Sequence, residues 1–138
     1  MPKTKRALAG CIITDAEGGV MVLHRAATKQ WEFPGGIMTT DETPALAAAR
    51  NTFDSMGVEI NIIEKLGGRT FDDADSECDA SWFKAEITSG SPRLQDTQTY
   101  DKWGYFSLVM LTQRYDELSP GIKSFLEAMA YDEIVLDI

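Results

Sequence analysis

One stretch constrains this chain more than any other. Trp31-Glu32-Phe33 reads as a short strand, and Pro34-Gly35-Gly36 stops it abruptly. The paired glycines let backbone approach closely, as loops that face phosphate require. A well-marked helix follows. Thr43 can cap it, Pro44 suits its first position, and Gly57 sits where a left-handed terminating residue belongs. Leu46, Ala49, Phe53 and Met56 recur at spacings of three and four, which predicts an apolar stripe facing the core. Asn51, Asp54 and Ser55 are likewise three and four residues apart, so they are expected to share a second face pointing away from that stripe.

The flanking sequence reads as strands. Ala7 to Thr14 and Val20 to His24 are apolar runs joined by the turn signal Glu17-Gly18-Gly19, a β-hairpin pattern. After the helix, Val58 to Lys65 alternates as a strand. Thr70 to Asp73 and Ser81 to Ile87 read as two more strands, with the acidic stretch Asp72 to Asp79 as a solvated tip between them. Trp103 to Ser107 is a further short strand. Ser119-Pro120 opens a closing helix to about Tyr131, followed by a short apolar tail, Ile134 to Ile138. This mixed order predicts an α+β chain, an α/β/α sandwich with a mixed β-sheet, folded as one domain over residues 1–138.

Composition narrows the partners. Thirteen basic against 22 acidic residues give a net charge of −9, which repels a phosphodiester backbone, so bulk nucleic acid is not expected. The basic start Met1 to Arg6 lacks an apolar signal region, and no apolar run is long enough to span a membrane, so a cytoplasmic location is expected. The two cysteines, Cys11 in an apolar run and Cys78 in an acidic one, read as one buried and one surface thiol.

The spacing carries chemistry. From Gly36, five residues lead to Glu42, seven more lead to Arg50, and Gly57-Val58 follows seven residues after Arg50. This resembles the Nudix box, and Trp31 to Gly36 is similar to the way that family enters it. The resemblance implies a Nudix-like sandwich and a MutT-like hydrolase acting on a nucleoside diphosphate linked to another group. It also implies a Mg²⁺ or Mn²⁺ ion that neutralises the diphosphate and orients the attacking water. Three family glutamates correspond here to Asn51, Asp54 and Ser55, and an apolar position to Thr52.

On that pattern, Glu42, Asn51 and Asp54 are the expected metal ligands, and Arg50 orients a carboxylate. Asn51 can offer a carbonyl oxygen but cannot act as a general base, and Ser55 can at best hold a water. Asp101, or else Asp96, lies where the family often carries an additional acidic ligand or base. The expected catalytic residues are therefore Arg50, Asp54 and Asp101. Gly35, Gly36 and Arg25 are expected to meet the anionic substrate, whereas His24 reads as a surface residue at a strand end. Trp31, Phe33 and Trp82 read mainly as core. The rival expectation is a non-catalytic module of the same fold that binds a nucleotide or a protein. A homodimer is possible on either reading.

Overall fold

In the computed structural model, which describes residues 3–137, the first strand organises the molecule. Strand β1 (Thr4–Ile13) lies antiparallel to β4 (Gly35–Ile37) on one side and parallel to β6 (Ser76–Ser89) on the other. Strand β5 (Glu59–Asp73) pairs antiparallel with the far edge of β6, completing a mixed four-stranded sheet. A second, antiparallel sheet has the order β3 (Gln30–Glu32), β2 (Val20–Arg25), β7 (Tyr100–Phe106). The expected mixed sheet is thus present, and the short strands around Trp31 and Trp103 form a sheet of their own.

Strand alternation divides the interior into two cores. Ala9, Cys11 and Ile13 of β1, with Met21 and Leu23 of β2, pack on Ala47, Ala48 and Met56 of helix α1 (Pro44–Met56). Ile12, Val20 and Val22 turn the other way. They meet Leu111 of α2 (Leu108–Gln113) and Ile122 and Phe125 of α3 (Pro120–Ala130), together with Trp31, Phe33 and Trp82. Helices therefore cover both faces, as an α/β/α sandwich requires. Ile134 and Leu136 of the tail are buried in the second core without strand pairing. Met1, Pro2 and Ile138 lie outside the described residues.

The boundaries of α1 match the sequence signals. The Thr43 hydroxyl accepts from the Leu46 N–H, Pro44 is the first helical residue, and Gly57 closes the helix at φ 68°. Its orientation matches only in part. Met56 is buried as expected, but Leu46 and Phe53 are 61% and 50% exposed, and Ala47, Ala48, Thr52 and Ser55 are buried in their place. Small side chains let the helix lie close to the sheet, and the periodicity of the large apolar residues pointed to the adjacent face. Ser55 consequently turns inward and donates to the Asn51 carbonyl, so it does not share a solvent face with Asp54.

Two further expectations are corrected. The strands after α1 are continuous: β5 and β6 run as one long hairpin whose turn is Ala74-Asp75. Gly68 permits this, because a Cβ there would lie 2.6 Å from the Ala80 carbonyl oxygen. Most of the acidic stretch is therefore strand, and alternation sends Glu77 and Asp79 outward and Cys78 inward. Cys78 is buried, although its acidic neighbours suggested a surface position.

Gly35 has φ +135°, and a Cβ there would lie 2.2 Å from the Ala9 carbonyl oxygen. Gly35→Ala should separate β4 from β1 and cost at least about 2 kcal/mol from strain and lost pairing. Urea unfolding measures this loss. Wild-type stability in the variant would show that the close approach is dispensable.

Candidate functional site

Glycine loop and helix meet through Arg50. Its Nε donates to Glu42 Oε2, and its Nη2 donates to Glu42 Oε1 at 2.9 Å and to the Ile37 carbonyl at 3.2 Å. Nη1 lies 3.6 Å from Asp54 Oδ2, a longer and solvent-facing contact. Glu42 Oε1 also accepts from the Thr39 N–H at 2.9 Å. The Arg50 hydrogen bonds, and then the Thr39 amide, hold the Glu42 carboxyl at about 2, well below its ordinary 4.5. Glu42 and Arg50 raise each other's preference for the charged form.

Asn51 stands against the loop. Its Nδ2 donates to the Ile37 carbonyl at 3.3 Å and to the Ala47 carbonyl at 2.9 Å. Two carbonyl acceptors settle which end of the amide is nitrogen. Its Oδ1 then lies over Gly36, where a Cβ would be 2.9 Å away. A side chain at 36 would therefore have to displace the Asn51 amide. Asp54 is 62% exposed and has no other polar partner than Arg50 among the described residues.

On the other side of Gly35-Gly36 lies a cavity of about 380 Å³. Phe33, Phe71 and Trp82 give it aromatic walls, and Arg6 and Arg25 with Glu32 and Asp73 form its charged lining. Glu42, Arg50, Asn51 and Asp54 do not line it. The two glycines are the shared boundary between cavity and helix. Arg25 is oriented within it by a bidentate pair with Glu32, at 3.0 and 2.8 Å, and its guanidinium carbon lies 5.3 Å from the centre of the Tyr100 ring. Tyr100 Oη donates to Glu32 Oε1 at 2.6 Å. Burial, then the Glu32 charge and hydrogen bond, push the Tyr100 hydroxyl well above its usual value. The Glu32 hydrogen bonds raise the Arg25 value as well.

The sequence offered no signal for this network, because Tyr100 is 75 residues from Arg25. Glu32 stood in full view within Trp31 to Gly36, but its partner is set only by the β2–β3 and β2–β7 registers. Asp101 is brought to His24 instead of to α1: His24 Nδ1 and Asp101 Oδ1 are 2.6 Å apart. This bond holds the Asp101 carboxyl below its ordinary range. His24 is buried edge-on against Trp31, and so is not the surface residue its position suggested. Asp96 caps the turn before β7 by accepting from the Thr99 N–H, and the hydrogen bonds from Thr99 lower its carboxyl too.

The residues on α1 do not fit a divalent ion held by the protein alone. Mg²⁺ and Mn²⁺ ask for several free hard oxygens. Both Glu42 oxygens are engaged by Arg50 and Thr39, the Asn51 Nδ2 donates to two carbonyls and so aims its Oδ1 at the Gly36 backbone, and Ser55 is turned inward. Asp54 remains, with a guanidinium beside it. Among the described residues, no group of three or more His, Cys, Asp or Glu side chains is arranged to hold an ion. No described helix is long and apolar enough to cross a membrane.

The NUDIX domain profile matches residues 4–129. A MutT-like protein of Streptomyces ambofaciens is 26% identical over 96 residues, covering 70% of this chain and 60% of that protein. The chain thus spans less than two thirds of that relative's length. An 8-oxo-dGTP diphosphatase of Proteus vulgaris is 29% identical over 87 residues, covering 60% of this chain and 78% of that protein. The crystal structure of a MutT protein from Methanosarcina mazei superposes with a TM-score of 0.82 at 17% identity, covering 96% of this chain and 98% of that one.

Glu42 ionises more readily in the folded chain than its ordinary 4.5, so its pairing stabilises the fold above that pH, and the contribution is lost as pH falls towards about 2. Glu42→Gln should therefore lower the Tm at neutral pH, and the difference from wild type should shrink as pH falls through this window. A gap that stays constant across the window would show that ionisation of Glu42 is not what stabilises the loop.

Proposed function

Since the chain belongs to the NUDIX domain family, we propose that it is a phosphoanhydride hydrolase acting on a nucleoside diphosphate linked to another group. The observation that carries this reading is the cavity beside Gly35-Gly36, where a guanidinium fixed by Glu32 and Tyr100 stands next to aromatic walls. A planar base would stack on Phe71, the half-buried ring of the wall, with the buried Phe33 and Trp82 behind it, and Arg25 would meet a phosphate oxygen. The open backbone of the two glycines lets the diphosphate approach the start of α1. The diphosphatase name of the Proteus vulgaris relative belongs to the same reaction class.

Water attacks one phosphorus of the diphosphate; the bridging P–O bond breaks, the other phosphoryl group leaves carrying the bridging oxygen and its electron pair, and a carboxylate takes the water's proton. We assign that role to one of two solvent-facing carboxylates, Asp54 and Asp101, which are 62% and 50% exposed. Asp101 is held in its ionised form by the His24 hydrogen bond. Substrate reaches the chain with Mg²⁺ or Mn²⁺, which the family's chemistry requires, although α1 offers few ligands for it.

A second reading has a specific observation in its favour. Asn51 and Ser55 stand where the family carries glutamates, and the Asn51 Nδ2 and the Ser55 hydroxyl both donate to carbonyls within the protein. This suits a non-catalytic module that binds a nucleotide in the same cavity. A panel of nucleoside triphosphates, dinucleoside polyphosphates and nucleotide sugars, assayed with Mg²⁺ and Mn²⁺, separates the two. Hydrolysis of one compound is expected, with Arg25→Met raising KM by about tenfold or more through the lost charge-assisted hydrogen bond. Asp54→Asn and Asp101→Asn then identify the proton acceptor by loss of kcat. Nucleotide-dependent thermal stabilisation without turnover on any compound would sink hydrolysis in favour of binding.

A further inference from the structure

We infer that the loop–helix of this chain holds no divalent ion of its own, because Asn51 has turned the family's cation face into a strut between α1 and β4. The strut is visible as two hydrogen bonds from one amide, to Ile37 of β4 and to Ala47 of α1. Arg50 Nη2 reaches the same Ile37 carbonyl, so the end of β4 is gripped by two donors from adjacent helix residues.

A carboxylate at position 51 could not make this contact. In the Asn51 rotamer, the oxygen standing in place of Nδ2 would face the Ile37 and Ala47 carbonyls, and acceptor would meet acceptor. Such a carboxylate is relieved by a cation, which is how a charged helix face and a bound ion support one another. Asn51 removes both the repulsion and the need for the ion. Donors take the place of the metal: Nδ2 and the Arg50 guanidinium bridge loop and helix directly. Arg50 also places positive charge 3.6 Å from the remaining carboxylate, Asp54, which discourages a second cation there. Any ion that does come to this face needs most of its hard ligands from elsewhere, and a bound diphosphate is the donor with the right chemistry.

The inference concerns the free protein and needs no turnover, so it stands or falls separately from the proposed hydrolysis. Manganese is the probe, because the electron paramagnetic resonance signal of aqueous Mn²⁺ falls when the ion binds. Titrated into the full chain without nucleotide, Mn²⁺ should keep its free-ion signal. Asn51→Glu and Asn51→Asp should each acquire a binding site, with affinity at least about tenfold above wild type as a second carboxylate joins Asp54. One equivalent bound to the free wild-type chain and lost in Asp54→Asn would overturn the inference. So would a folded Asn51→Glu and a folded Asn51→Asp that bind no better than wild type. Circular dichroism reports whether each variant is folded, and the wild-type titration decides alone if neither is.

Discussion

Gly35 presses on β1 so closely that no side chain can stand between them, and the functional half of the molecule depends on that approach. With Gly35 opposite Gly10 and Gly36 opposite Ala9, the loop becomes a fourth strand of the mixed sheet. From there the chain can enter α1 and lay its small-residue face against β1. The opposite side of the same glycines bounds the cavity. A bulkier residue would disturb sheet, helix and cavity together.

Around this contact two arginine-centred networks do different work. Arg50 joins Glu42, the Ile37 carbonyl and Asp54, tying the loop to the helix at the surface. Arg25 is half-buried between Glu32 and Tyr100, which hold its fork in one orientation at the cavity. A guanidinium suits both places because it is planar, always charged and able to bond in two directions. The first network is mostly an internal brace. The second keeps a cation facing a space large enough for a ligand, and this contrast makes the cavity, more than the outer face of α1, the centre of the functional reading.

Local signals were legible at the ends of α1 but not in the expected opening hairpin, whose strands β1 and β2 lie in different sheets joined by the isolated bridge Thr14–Val20. Thr43, Pro44 and Gly57 marked the ends of α1 because caps depend on neighbouring backbone groups. The spacing from Gly36 to Val58 identified the family box, and Trp31, Phe33 and Trp82 were read as core. Apart from Met56, the buried face of α1 was not legible, because it is made of alanines, Thr52 and Ser55, which apolar periodicity passes over in favour of Leu46 and Phe53. Cys78 was misread for a related reason: strand alternation outweighed the acidity of its immediate neighbours.

What the sequence alone determined, then, is the frame: the glycine loop, the capped helix, the α+β order of elements and the loss of glutamates at positions 51, 54 and 55. Only the tertiary structure decided what replaced them. Asn51 is a donor to two carbonyls, Ser55 is turned inward, Asp101 is bound to His24, and Tyr100 completes the support of Arg25. The division follows from range. Caps, turns and motif spacing are set by residues a few positions apart, whereas a side chain's partner across strands depends on register and packing, which no local pattern specifies.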